Sequence, residues 1–243
     1  MIYEQEVNGY KVKVFKPIRL IPYYDITAKE ISDLLKSGAI TLLEEINPDC
    51  KIGVEIEGKK RGIVKLPIHY TGIKNKRRKE VLKKCQDFRF VRKVVGRGQL
   101  TKQQLIAFQT KHRAKYPMTP EEEEYELDET IKYLQDKEVL LLALYDKASL
   151  ICLSFNIRVS PYRVYACFNE WDERYKQGVG NYCWYRMIEW LEELGIKEYD
   201  LGPLDEDYKK KFINATEPTL GVALIDEKHP LVKQLNLSNI NQI

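Results

Sequence analysis

The chain has 243 residues, 44% of them hydrophobic and 31% charged, with a net charge of +4 at pH 7. This balance is that of an ordinary globular protein and excludes a collagen, a low-complexity scaffold and a disordered tail. The longest apolar run, residues 139–145, is seven residues long, against the roughly 20 that a membrane-spanning helix needs. With no basic stretch leading into an apolar one at its start, the chain is expected in the cytoplasm with no membrane contact.

In chain order, residues 11–15, 51–56 and 62–66 read as strands around a first helix. The box Thr27-Ala28-Lys29-Glu30 opens that helix, its hydroxyl and carboxylate serving the unpaired amides of the first turn, and Gly38 stops it. A second helix is expected over 76–85. The glycines of Gly96-Arg97-Gly98 mark a boundary, so 1–98 form a basic N-terminal α/β subdomain. A second domain covers 99–233 and a polar tail 234–243. The boxes Thr101-Lys102-Gln103-Gln104 and Thr119-Pro120-Glu121-Glu122 open two further helices, the first closed by Pro117 and the second running to about Asp136.

Beyond them the pattern changes. Residues 139–145, 150–158 and 163–169 are short, apolar and rich in β-branched or aromatic side chains, with turn residues between them, which predicts an antiparallel meander. Gly178-Val179-Gly180 then leads into a helix whose apolar stripe is Trp184, Met187, Ile188, Leu191 and Leu194, ended by Gly195. A strand over 198–201, a short helix over 207–212 and a strand over 220–225 complete the expected order.

Charge is segregated along the chain. Between Lys59 and Lys102 stand sixteen Lys and Arg against Glu80 and Asp87. Between Thr119 and Glu138 nine acids face Lys132 and Lys137. Such a basic segment suits a polyanion, RNA or cofactor phosphates, or simply makes a solvated face. Phe88 and Phe90, interleaved with arginines, suit either nucleic-acid contact or an alternating strand with Phe inward. Five cysteines (Cys50, Cys85, Cys152, Cys167, Cys183) lack any Cys-x-x-Cys spacing and the three histidines are dispersed, so neither a disulfide framework nor a metal is expected.

The segment richest in chemistry is 171–212. Unpaired amides of a glycine loop at a helix N-terminus bind phosphate, since the helix dipole favours an anion there; the same glycines also serve a tight turn. The sequence of elements, the loop Gly178-Val179-Gly180, the later Leu194-Gly195-Ile196 and Tyr199-Asp200-Leu201-Gly202, and finally Tyr208-Lys209-Lys210-Lys211-Phe212 together resemble the acyl-CoA N-acyltransferase (GNAT) superfamily. Within it the likeness is to FemAB/CelD-like acyltransferases, and secondarily to the C-terminal domain of arginyl- and leucyl-tRNA–protein transferases. The resemblance covers about residues 100–226. It departs where the family loop has Gln or Arg three residues before its first glycine: Tyr175 stands there, with Arg174 and Gln177 out of register.

The resemblance implies a GNAT-like mixed, largely antiparallel sheet flanked by helices, transfer of an acyl group from acyl-CoA to an amine, and no metal. It places the cofactor-binding residues at Gln177, Gly178, Val179, Gly180, Asn181 and Lys209. Tyr208 is the candidate acid or hydrogen-bond donor, although its ring also suits packing on the sheet. Asp172 and Glu173 are the candidate bases, and Lys209 either neutralises a phosphate or faces solvent. His112, beside Arg113, is similar to an Arg-His of the tRNA-dependent transferases. Two alternatives are an aminoacyl-tRNA donor lying along Lys74 to Arg97, and a non-catalytic scaffold binding RNA or protein. The acceptor is a small-molecule or peptide amine.

Overall fold

The computed structural model describes residues 2–7, 10–15, 40–46, 54–115, 117–175, 178–204 and 207–224. The chain divides into two compact units, one of residues 1–61 with 216–243 and the other of Gly62–Ala215. The glycine pair at 96–98, the boundary expected from the sequence, falls inside the second unit.

In the first unit, β1 (Ile2–Val7) and β2 (Tyr10–Phe15) form an antiparallel hairpin whose last rung is Val7 opposite Tyr10. β3 (Ile40–Ile46) lies parallel to β2, and β10 (Ala215–Leu224) pairs antiparallel with β3 from Leu220 onward. The helix expected from Thr27 to Gly38 lies outside the described residues, as do Cys50 and the tail. The strands expected at 51–56 and 62–66 are one continuous strand, β4 (Val54–Lys65).

The second unit is built on a mixed sheet. From one side its order is the end of β4, then β9 (Glu198–Pro203), β8 (Arg163–Trp171), β7 (Ser149–Ser160), β6 (Glu138–Asp146) and β5 (Arg89–Val95). β5 to β8 are antiparallel neighbours, and β8 and β9 run parallel. The meander expected from the sequence is present with each strand a residue or two longer. β5 is the strand reading of Phe88-Arg89-Phe90-Val91: Phe88 and Phe90 are half-buried against the core, while Arg89 and Val91 face outward.

Both faces of this sheet are covered, and for that reason β6 and β7 read as nearly continuous apolar runs. On one face lies α4 (Val179–Glu193), which buries Val179, Tyr182, Cys183, Trp184, Tyr185, Met187, Ile188, Trp190 and Leu191. This is wider than the expected stripe, and Leu194, expected within it, caps the helix with a 38% exposed side chain. Gly195, at φ +72°, ends the helix, with the Ile196 amide donating to the Leu191 carbonyl at 3.0 Å. Against the other face lies α2 (Lys102–Lys115), whose Phe108 ring is 6.2 Å from that of Phe155 on β7. α3 (Pro120–Leu134) is tied to α2 by Lys102, which pairs with Glu124 and with Asp128.

Of the three expected capping boxes, the two within the described residues form. Thr101 Oγ1 accepts from the Gln104 amide at 3.2 Å while Gln104 Oε1 accepts from the Thr101 amide at 3.1 Å, and Thr119 and Glu122 repeat the exchange at 3.2 and 2.9 Å. The remaining helix, α1 (Gly72–Lys84), starts four residues earlier than expected, with Thr71 as its N-cap, and buries none of its side chains.

Replacing Thr119 by Ala removes the hydroxyl that accepts the Glu122 amide, leaving the Thr119 amide's bond to Glu122, and is expected to cost about 1 kcal/mol of stability. A lowered urea midpoint with an unchanged slope is the reading that checks it.

Candidate active site

The site follows from the way β8 and β9 part. Their parallel pairing lasts three rungs, Arg163 with Glu198, Val164 with Tyr199 and Tyr165 with Asp200. Beyond these β8 runs on to Trp171 and β9 to Pro203. In sheets with parallel strands, ligands bind outside the carboxyl ends where neighbouring strands separate. α4 connects the two strands, and its N-terminus lies at that end.

Two contacts fix the start of α4 there. Asn169 on β8 donates from Nδ2 to the Gly180 carbonyl at 3.2 Å, while its Oδ1 takes the Cys152 thiol at 3.1 Å. A Cβ at Gly180 would sit 3.2 Å from Cε3 of Trp171, so a side chain there would have to push that indole back by a few tenths of an ångström. Gly178 is the N-cap at φ +87°, a left-handed conformation that costs a non-glycine residue roughly 1–2 kcal/mol. The first-turn amides of Val179, Gly180 and Asn181 have no carbonyl one turn back within the helix. The Val179 side chain itself is buried, 1% exposed, so its contribution is its amide. Gln177 lies outside the described residues.

The loop before α4 is braced. Tyr175, standing in place of the family's Gln or Arg, donates its hydroxyl to Asp146 Oδ2 at 2.8 Å and sets its ring edge-on to Phe88 at 5.9 Å. The Asp146 acceptor raises the Tyr175 pKa. Asp172, a candidate base, is gripped by Arg174 through Nε at 3.0 Å and Nη2 at 2.5 Å, and its amide donates to the Ile151 carbonyl at 2.8 Å. Glu173 is exposed at the turn. The His112 side chain is outside what is described.

On the other side of the opening, the expected helix over 207–212 is a single 3-10 turn, Lys209–Lys211, with Tyr208 as its N-cap. Tyr208 is half-buried, its ring 6.3 Å from that of Trp184 on α4. Lys209 is not the solvent-facing side chain that its sequence position offered as one choice. It is 9% exposed and its Nζ donates to the Pro203 carbonyl at 2.8 Å, so it closes the turn after β9; burial is tolerated because the ammonium has an acceptor.

Beneath the opening lies a polar group that the sequence reading passed over. Tyr199, wholly buried, donates to Asn156 Oδ1 at 2.7 Å; Asn156 Nδ2 donates to the Leu140 carbonyl at 3.2 Å and to Ser154 Oγ at 3.0 Å. Burial drives the Tyr199 pKa well up, and the Cys183, Cys167 and Tyr208 side chains add to the rise. The signal was present: Asn156 is an amide inside the apolar run 150–158, and a buried amide needs partners. Next to it Asp200, also buried, pairs with Arg163 at 2.8 Å and accepts the Gly202 amide at 2.9 Å, holding Gly202 at φ +73°. Among the described residues, no three His, Cys, Asp or Glu side chains converge as metal ligands, and no helix is long and apolar enough to cross a membrane.

A family model for the acetyltransferase (GNAT) domain matches residues 74–210, more than half of the chain. The chain belongs to the GNAT family. Its GNAT domain is that of an acyltransferase, and the mixed sheet with a helix crossing from β8 to β9 is the fold the resemblance implied. Three solved structures are similar. One is the C-terminal domain of a protein assigned as a lysylphosphatidylglycerol synthetase from Agrobacterium fabrum, at 12% identity and TM-score 0.58 over 96% of this chain and 83% of that one. Another is L-PGS from Bacillus licheniformis, at 10% and 0.59 over 98% and 85%. The third is FemX, at 11% and 0.49 over 96% and 86%. No curated protein matches the chain.

Tyr199→Phe leaves the Asn156 carbonyl oxygen buried without its donor. A loss of about 1–3 kcal/mol is expected, read as a lower denaturant midpoint.

Proposed function

We propose that this GNAT-family acyltransferase moves an acyl group from acyl-CoA to an amine at the opening between β8 and β9. The observation that carries the reading is the glycine-capped start of α4, pinned by Asn169 and Trp171 at the end where the two strands part. There the amides of Val179, Gly180 and Asn181 face a helix N-terminus suited to a donor's phosphates. The Lys209 ammonium gives one of its three N–H donors to the Pro203 carbonyl.

The chemistry needs two proton movements. The amine nitrogen attacks the thioester carbonyl, the C–N bond forms, and the C–S bond breaks as the tetrahedral oxyanion collapses. Tyr208 gives its hydroxyl proton to the departing thiolate. The amine's surplus proton goes to a carboxylate, either Asp172, whose oxygens must first be released by the Arg174 fork, or Glu173 in open solvent. The Tyr199–Asn156 group lies under Tyr208 and resists ionisation, so negative charge is not drawn into the core.

A second reading keeps the site and takes an aminoacyl-tRNA as donor. Helix α1 favours it: Lys74, Lys76, Arg77, Arg78, Lys79, Lys83 and Lys84 stand on 13 residues, none of them buried. Two solved structures of similar fold over most of their length carry the name of a lysylphosphatidylglycerol synthetase or L-PGS, which supports keeping donors other than acyl-CoA in view. Phe88 and Phe90 do not contribute to such a surface, because their rings are turned to the core.

Calorimetric titration with coenzyme A and acetyl-CoA at low and high salt tests the first reading. Micromolar binding that persists at ~0.3 M salt supports a specific phosphate site, since diffuse charge attraction is screened there. Absence of binding moves the donor to aminoacyl-tRNA, whose affinity falls steeply with salt. With the donor established, Tyr208→Phe is expected to lower kcat by about 100-fold with KM little changed. An unchanged kcat removes Tyr208 from the proton transfer.

A further inference from the structure

A second concavity lies at the opposite end of α4 from the glycine loop. It is a cavity of about 220 Å³ between the chain at Ile68 to Tyr70, helix α1 and the C-terminal half of α4. Its walls include Tyr70 and Tyr185, whose rings meet edge to face at 5.7 Å. The guanidinium of Arg78 lies 5.2 Å from the Tyr70 ring centroid.

The acids of this cavity are already engaged. Glu189 holds Arg78 at 2.6 Å with one oxygen and Arg186 at 2.8 Å with the other. Glu192 accepts the Ile68 amide at 2.9 Å. Its unused capacity is in donors. The Tyr70 hydroxyl and Arg78 Nε are both buried, and neither has a hydrogen-bond acceptor among the described residues. Two buried donors of lining side chains without acceptors are unusual in a folded protein, and each carries a desolvation cost that an acceptor would relieve. Burial raises the Tyr70 pKa, with Tyr185 adding to the rise, so the phenol keeps its proton and remains a donor throughout the physiological range. Arg77 and Arg78 both act on the neighbouring Tyr185, and of these Arg78 stands in the lining together with Glu189 and Glu192.

We propose that this cavity binds a small molecule bearing an oxyanion group, a carboxylate or a phosphate, which accepts from the Tyr70 hydroxyl and Arg78 Nε while its body lies against the rings of Tyr70 and Tyr185. Both donor atoms are shielded from bulk water, so binding turns the two side chains toward the ligand, a rotamer change of the kind common at binding sites. An arginine suits either oxyanion because its planar fork matches both geometries. The site lies at the other end of α4 from the acyl-CoA chemistry and uses none of the residues assigned to it; Arg78 also belongs to the basic face of α1.

Calorimetric or NMR titration of the full chain with benzoate and with inorganic phosphate, at constant ionic strength, tests the proposal and separates the two oxyanions. Saturable binding of at least one probe at millimolar concentration is expected. Tyr70→Phe should weaken it by roughly tenfold, the size of one lost charge-neutral donor, and Arg78→Lys should do the same. Lys79→Gln, exposed on the same helix, should leave it unchanged. Without a ligand Tyr70→Phe should melt no lower than the natural protein, because the hydroxyl it removes has no partner. The proposal is overturned if neither probe saturates, if Tyr70→Phe binds as tightly as the natural protein, if Lys79→Gln weakens binding as much, or if Tyr70→Phe melts markedly lower.

Discussion

The second unit depends on the short parallel contact between β8 and β9. Parallel strands cannot be joined by a tight turn and need a crossover; here that crossover is α4, which buries nine of its side chains on the sheet. Once Trp184, Met187, Ile188 and Leu191 are seated, the helix has no freedom to slide. Its N-terminus is then held at the end of β8 by the Asn169 contact and the close approach of Gly180 to Trp171. Because the pairing stops after three rungs, backbone beyond Tyr165 and Asp200 is left without that partner strand. The opening, the amide-rich helix start and the turn carrying Tyr208 all follow from that one geometry.

Polar groups inside this apolar frame set the details. Asn156 joins β6, β7 and β9 through the Leu140 carbonyl, Ser154 and Tyr199, and a group that is fully bonded specifies one register where apolar contact alone would tolerate several. The Lys209 ammonium on the Pro203 carbonyl and Asp200 between Arg163 and the Gly202 amide fix the chain as it leaves β9. Tyr208 is held between that turn and Trp184. Three charged or polar side chains that might be taken for catalytic groups are thus the means by which the site keeps its shape.

The charge asymmetry of the sequence becomes a spatial layer. Helix α1 carries basic side chains on an exposed surface and is joined to α4 by the Arg78–Glu189 pair. Arg92 on β5 pairs with Glu193 at the end of the same helix and lies 5.8 Å from the centroid of the Trp190 ring on it. Part of the basic excess therefore serves α4, through ion pairs and cation–π contacts. The lysines of α1 face solvent, where their value is long-range attraction of anions more than stability.

Much of this was legible in the sequence. The boxes at Thr101 and Thr119, the stop at Gly195 and the apolar runs of the meander are encoded within a few residues of one another, and such local signals survive into the fold because nothing in the tertiary structure opposes them. The motif residues at 178–180 and 199–212 also told their family. β3, the N-terminal hairpin and the continuity of β4 were not legible, since each is defined by a partner far along the chain. The division of the chain near Gly62 could not be read for the same reason: β5 looks like the end of a basic segment until its pairing with β6 assigns it to the second unit. Local chemistry by itself determined the helix ends, the strand-rich middle and the glycine loop. Only the tertiary structure decided that Lys209 is a buried tie, that Phe88 and Phe90 turn inward and that Asn156 and Tyr199 meet, because burial and long-range hydrogen bonding are properties of what packs against a residue and not of the residues beside it.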